Sequence, residues 1–342
     1  MATQNPVFIN YMEAASDFLG PGAIEIPVFA PQILDMVRRR GMLGQRMKNE
    51  PSTGQPHRYF EQTRIITGSF QDPRGMTFAP TQDPTRRERY ATVKAIVAPV
   101  QFSMFDVEVT RQQGIFAQLV AKDIEDAVQG VLRTSDLALW QGTDTSLVFP
   151  STLEYVGGLT QINRTASIGS TMRIIDGIKA EIASMVANPS FTVTPTAVYI
   201  NPVLGDLIDQ EERLNQRQIP TTTLNTVTGG LVVNALATQA GLIPLIPDPF
   251  LLNGTTGAST IESGKTDYKA VILSEPLVEY VYITTPYPRV FQLGLQGGLA
   301  TQYSCPLFGA VIFKGQANSA QTQGVVESGA VSYAHSVITV TR

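Results

Sequence analysis

The 342-residue chain is poor in the residues that most often carry chemistry. It has one cysteine, Cys305, which excludes an intrachain disulfide framework. It has two histidines, His57 and His335, and neither stands in a spacing that suggests a metal ligand set or the base of a nucleophile. There is no Gly-x-Ser-x-Gly elbow and no His-Glu-x-x-His pair. Only 16% of residues are charged and the net charge is −4, which argues against a dedicated nucleic-acid binder. No apolar run approaches the ~20 residues of a membrane span. Residues 1–22 also lack the basic start and long apolar core of a signal peptide. The sequons at Asn163-Arg164-Thr165 and Asn253-Gly254-Thr255 therefore read as incidental. The expectation is a non-enzymatic protein made in a reducing cytoplasm, with no catalytic residue, cofactor, metal or membrane partner.

Two imitations of functional motifs fail for physical reasons. Gly264-Lys265-Thr266 resembles the end of a phosphate-binding loop, but the first glycine is replaced by Ser259 and the following residues read as a strand. The acidic groups Asp123/Glu125/Asp126 and Glu211/Glu212 read as solvated helix faces. Cys305, beside Pro306 in an apolar stretch, reads as a small buried hydrophobe.

What the chain does have is length in its individual elements. Arg58–Phe70 and Arg86–Phe102 read as two strands of a hairpin. The second alternates Ala91, Val93, Ala95 and Val97 against Tyr90, Thr92, Lys94 and Ile96. The tip, Gln71-Asp72-Pro73-Arg74-Gly75 with Ala79-Pro80 and Asp83-Pro84, is rich in turn residues. Each strand reaches roughly 40 Å at about 3.3 Å per residue. A lone two-stranded ribbon of that length is marginal in water, so a second copy of the protein is the simplest support.

A proline-free stretch from Arg111 to Gln141 follows. Ile115, Phe116, Leu119, Val120, Ile124, Ala127, Val128, Val131 and Leu132 recur at helical spacing. This predicts an amphipathic helix of about thirty residues, or about 45 Å, with Gly142 as a left-handed cap. A helix this long reads as a spine. Residues 1–30, interrupted by Pro6, Gly20-Pro21-Gly22 and Pro27, read as an arm ordered only against a partner. Pro31 opens a short helix reaching Gly41. Further on, Thr171–Ala187 is amphipathic, Thr196–Ile200 is a short strand, and Asn201-Pro202 starts a helix reaching about Arg213. Leu242–Ile246, Tyr268–Leu273, Val278–Ile283 and Val290–Leu295 read as strands, so the fold class is α+β.

One charge pattern rises above background. Arg58, Arg64, Arg74, Arg86, Arg87 and Arg89, with Lys94, outnumber Glu61, Asp72, Asp83 and Glu88 on the hairpin. A β-ribbon entering a DNA groove uses such arginines. The interleaved acids and the acidic whole favour inter-subunit ion pairs instead, and these six arginines are the expected contact residues.

Arm, hairpin, spine helix, mixed region and return to strands occur in that order. Together with Leu137-Ala-Leu-Trp-Gln-Gly142, Val156-Gly-Gly-Leu-Thr160 and Ala197-Val-Tyr-Ile-Asn-Pro202, the chain resembles the major capsid proteins of tailed bacteriophages, the Hong Kong 97-type fold. The resemblance implies an N-terminal arm and short helix over residues 1–48 and an extended β-hairpin loop over 49–104. It further implies a peripheral domain with the spine helix over 105–165, an axial domain over 166–285, and a peripheral return with C-terminal tail over 286–342. By the same resemblance the protein forms hexamers and pentamers of an icosahedral shell around double-stranded DNA, assembled in the host cytoplasm as a virion capsid. Because only the short arm precedes the hairpin, a separate scaffold protein is implied, with a portal and a decoration protein as further candidate partners. Some members cross-link a loop lysine to a neighbour's asparagine; the tip from Gln71 to Arg87 has no lysine. An encapsulin-like nanocompartment shell is the alternative, and a hydrolase with an undetected site is the reading from another class.

Overall fold

Period-two alternation of β-branched and aromatic residues builds the two larger sheets of the described residues, and period-3.6 stretches give the helices that cover them. The structure is a computed structural model and describes residues 40–64, 66, 68, 70–74, 85–105, 108, 119–143, 154–188, 192–214, 226–228, 231–233, 235–251, 268–296, 300–317 and 331–341. The expected arm, the helix from Pro31, Ile115 and Phe116 of the spine, and Gly264-Lys265-Thr266 lie outside the described residues.

A short helix, Met42–Arg46, leads into β1 (Lys48–Pro51), β2 (His57–Arg64), β3 (Thr85–Ala91) and β4 (Lys94–Ser103). The long helix is described over Leu119–Gln141. One turn, Gly158–Gln161, then precedes β5 (Thr165–Ile168), helix Ile174–Val186, β6 (Ala197–Ile200) and helix Pro202–Leu214. The remaining strands are β7 (Thr226–Thr228), β8 (Leu231–Val233), β9 (Ala235–Thr238), β10 (Gly241–Pro247), β11 (Tyr268–Leu273) and β12 (Val278–Tyr282). After them come β13 (Phe291–Gln296), β14 (Ala300–Phe313), β15 (Gln316–Ala317), β16 (Val331–Ser332) and β17 (Ser336–Val340). The architecture is mixed α+β.

In the five-stranded sheet, β1 runs parallel to β12, while β12, β13 and β4 all pair antiparallel with β14. The six-stranded sheet has the order β5-β17-β11-β6-β10-β9. Its residues point alternately into two cores. Val198, Ile200, Ala270, Ile272 and Ile338 face a core closed by Ile174, Ile178, Ile182 and Met185 of one helix and Leu204 and Ile208 of the next. Ala197, Tyr199, Val271, Leu273 and Val337 face a second core, shared with Val278, Tyr280, Val311 and Phe313 of the five-stranded sheet. That second core joins the two sheets.

The helix caps explain two sequence features. Asn201 Oδ1 accepts the Val203 N–H at 2.8 Å, as the Asn-Pro start predicts. Helix Ile174–Val186 has no cap from its own chain neighbour, and Glu211 of the following helix accepts the Ile174 N–H at 2.8 Å instead. Glu211 is thus a capping group and not a member of a solvated face.

The structure corrects two of these expectations. The second hairpin strand is not continuous: β3 pairs with β2 only to Ala91, and from Lys94 the chain pairs with β14 in the five-stranded sheet. The pleat changes phase there, since Arg89, Ala91 and Val93 are buried and then Lys94 is buried as well. The described ribbon is correspondingly short. Second, Gly142 does not cap in the left-handed region: Gly241 and Gly315 are the described glycines with positive φ. The last strand, β17, lies inside the six-stranded sheet between β5 and β11. Gly142 is required because a Cβ would lie 2.0 Å from the Tyr155 carbonyl oxygen.

Candidate assembly interface

The three sequence stretches that resemble capsid-protein segments meet at one place, the end of the long helix. Gly142 and Gly157 bring two backbones together, with the Gly157 N–H donating to the Gly142 carbonyl at 2.8 Å and the Thr160 hydroxyl to the same oxygen at 2.9 Å. Gly158 makes room for the Phe313 ring, which a Cβ would approach to 2.7 Å. The Trp140 ring lies 5.5 Å from that of Tyr199. The residue that joins them was not legible in the sequence. Asp248 is wholly buried after β10, and its Oδ2 accepts from Trp140 Nε1 at 3.1 Å and from the Met42 and Leu43 amides at 3.1 and 3.2 Å. Its Oδ1 accepts the Phe250 N–H at 3.0 Å. Asp136, one helical turn before Trp140, accepts the Gly41 N–H at 2.8 Å and pairs with Arg40 Nε at 3.0 Å. Burial raises the Asp136 pKa, and the Gly41 amide and Arg40 offset this only in part.

A second tether fixes the short helix to the six-stranded sheet. Arg46 forms a bidentate pair with Glu275 at 2.6 and 3.0 Å, and the Tyr199 hydroxyl donates to the same carboxylate at 2.7 Å. Burial alone raises the Glu275 pKa, but Arg46 and the Tyr199 hydroxyl outweigh it and hold it below the usual range. The body is therefore one platform, and the ribbon is its projection.

The ribbon's root rests on the five-stranded sheet, where Tyr59 and Ala91 pack on Val281, Ala310 and Ile312. Gln55 sews the two feet together: its amide nitrogen donates to the Val93 carbonyl and its oxygen accepts the Val93 N–H, both at 3.0 Å. Of the six arginines expected at subunit contacts, Arg58 is exposed and pairs with Glu88 across the ribbon at 3.0 Å. Arg86 and Arg74 are exposed and Arg87 is half-buried. Arg64 ends β2 opposite Thr85. Arg89 departs from the expectation. It is fully buried within its own chain and pairs with Glu61 at 2.7 Å. The interleaved acids Glu61 and Glu88 thus serve the ribbon itself, which charge counting could not distinguish from pairing with a neighbour.

Two apolar surfaces are left uncovered. On the ribbon, Phe60 is 72% exposed, and Ile66 and Phe70 are exposed as well. On the five-stranded sheet, registry places Ala95, Val97 and Pro99 of β4 beside Phe308, Pro306 and Ser304 of β14, with Phe291 of β13 opposite Ser304. Val97 is 51% exposed on this face, and Phe308 and Phe291 are exposed too. The opposite face carries Ile96, Ala98, Cys305 and Leu307 against Val131 of the long helix. Cys305 is buried there, as its surroundings in the sequence suggest. Among the described residues no group of three or more His, Cys, Asp or Glu is placed to hold a metal ion, and no helix is long and apolar enough to cross a membrane.

No family model and no curated protein matches this sequence. Solved structures do match, along the whole chain. The capsid of a native GTA particle superposes with a TM-score of 0.61 at 9% identity, covering 96% of this chain and 99% of that one. The chain has a capsid-protein fold. The capsid of Myoviridae phage XM1 gives 0.57 at 11% identity, covering 93% and 99%. The SrpI encapsulin complex of Synechococcus elongatus gives 0.57 at 11% identity, covering 100% and 97%. At such identities the likeness is one of fold.

Proposed function

We propose that this capsid-fold chain is the major shell subunit of a tailed bacteriophage, assembling into hexamers and pentamers of an icosahedral capsid that packages double-stranded DNA. The observation that supports this most is the full-length likeness to shell proteins, seen together with apolar residues exposed on both the ribbon and the sheet face. On this reading Phe60, Ile66 and Phe70 lie on the Val97–Phe308 face of a neighbouring copy, with Arg58, Arg64, Arg74, Arg86 and Arg87 at the rim. The ribbon is the extended loop, the five-stranded sheet with the long helix the peripheral domain, and the six-stranded sheet the axial domain. A scaffold protein directs closure in the host cytoplasm, and a portal admits the DNA.

Electron microscopy of the purified protein tests the reading: closed shells or ring-shaped capsomers are expected, and a monodisperse monomer at all concentrations overturns it. A nanocompartment shell is the second reading, motivated by the encapsulin likeness, which is as good as that to phage XM1. Nuclease treatment of particles from infected or lysogenic cells separates the two. Protected double-stranded DNA supports the capsid, whereas protected protein cargo without DNA supports the compartment.

A further inference from the structure

The root of the ribbon carries buried charge where its surroundings are apolar. Glu61 on β2 holds Arg89 Nε of β3 at 2.7 Å with Oε2 and accepts the Gly315 N–H at 2.8 Å with Oε1. One carboxylate therefore ties both strands of the ribbon to the turn after β14. That turn is itself fixed. Gly315 has φ +91°, a Cβ there would lie 2.5 Å from the Ala334 Cβ, and its carbonyl accepts from the Tyr333 and Ala334 amides at 3.0 and 3.3 Å. Beside it, Lys314 pairs with the buried Glu279 at 2.5 Å and stands 5.5 Å above the Tyr59 ring.

A buried ion pair contributes little stability compared with apolar residues of similar volume, because desolvation cancels most of the attraction. Tyr59 and Ala91 already bury apolar surface at this root. Adhesion alone does not call for Arg89. Apolar contact is non-directional, however, and lets a ribbon rock on its root, whereas a carboxylate ion-paired through one oxygen and accepting the Gly315 N–H through the other has a direction.

We propose that Glu61, Arg89 and the Gly315 amide form a clamp that sets the angle at which the ribbon leaves its own subunit. Given the shell reading above, on which this consequence rests, the clamp thereby sets the curvature of the assembled shell. Arg89 is a positioning residue and touches no neighbour.

Spin labels at Phe60→Cys and Ala180→Cys report the angle in unassembled subunits by double electron–electron resonance, with Cys305 protected by burial. The double variant Glu61→Leu/Arg89→Met removes both charges together, leaves no orphaned ion and takes away the acceptor of the Gly315 N–H, and its melting temperature stays within about 5 °C of the parent. Its distance distribution widens about two-fold as the directional bond is lost, Arg89→Lys retains a narrow one, and assembled shells of the double variant vary in diameter. An unchanged distribution width overturns the clamp, whether or not shells form. A widened distribution with shells of native diameter overturns the link to curvature. Absence of shells from the parent protein overturns the shell reading and leaves the resonance result to decide the clamp.

Discussion

Single residues in this molecule act chiefly by fit. Gly130 lies midway along the long helix and Gly142 directly follows it; a Cβ meets nothing within 4 Å at Gly130 and the Tyr155 carbonyl at 2.0 Å at Gly142. Gly130→Ala is therefore expected to stabilise the subunit by about 0.5–1 kcal/mol, by lowering the entropy of the unfolded chain. Gly142→Ala is expected to yield insoluble or molten protein, and urea titration of the two variants side by side checks both. His335 is wholly buried between the sheets, its ring edge-on to Phe313 at 5.7 Å and its Nδ1 accepting the Ser274 N–H at 3.3 Å. Burial pushes its pKa down to about 4. The unfolded chain, with an ordinary pKa near 6.5, thus binds the proton more readily than the folded one. Stability from this group is complete above about pH 6.5 and falls as the pH drops towards 4, by about 3 kcal/mol in all. In His335→Gln, the denaturation midpoint of unassembled subunits is expected to be flatter over that window. An identical pH slope in the two proteins contradicts the assignment.

Elements were legible where the period of the sequence decides them and illegible where pairing is distant. Helix Ile174–Val186, helix Pro202–Leu214 and strands β6, β10, β11, β12 and β13 follow from their spacing and their capping prolines. The run from Arg86 to Phe102 misled because its residues alternate without pause, while the chain at Thr92-Val93 changes both partner and buried face. β1 and β17 carry no local signal that one joins β12 and the other β5 and β11. The junction was hidden for the same reason. Ile246-Pro-Asp-Pro-Phe250 reads as a turn, and nothing local says that Asp248 collects amides from residues 206 and 205 positions away. Deleting residues 68–84 and closing the ribbon with a short turn is expected to leave this platform folded, since none of its described core residues lies there. The subunit is expected to lose shell closure and keep its melting transition. Normal shells from that variant would show that the ribbon is not an assembly element.

At the scale of the whole molecule, the lysines bear on how copies are held. Lys94 is buried in β4, and Lys48 in β1 pairs with Glu50 at 2.7 Å and lies 3.7 Å from Glu279. Both stand at the ribbon's foot, so neither is placed at its tip for an amide bond to a neighbour. Particles boiled in detergent are expected to release one band at the monomer mass. A ladder of covalent oligomers would overturn that. On the proposed reading, the net charge of −4 suits a shell whose DNA must move, because each neutralised phosphate adds salt-dependent affinity. Isolated subunits are expected to bind duplex DNA no more tightly than about 10⁻⁴–10⁻⁶ M at physiological salt, as filter binding would show.

The position of β17 also has a consequence in time. β5 has β17 as its partner in the six-stranded sheet, and residues 168 and 340 face each other in their register. A ribosome adding about 5–20 residues per second needs roughly 10–35 s to pass from one to the other. Throughout that interval the nascent chain carries an open strand edge beside the apolar flank of helix Ile174–Val186. The six-stranded sheet is completed only once the region that builds the five-stranded sheet has left the ribosome. Translation order thus delays a finished subunit, and over that interval the open edge is a liability for pairing with neighbouring nascent chains.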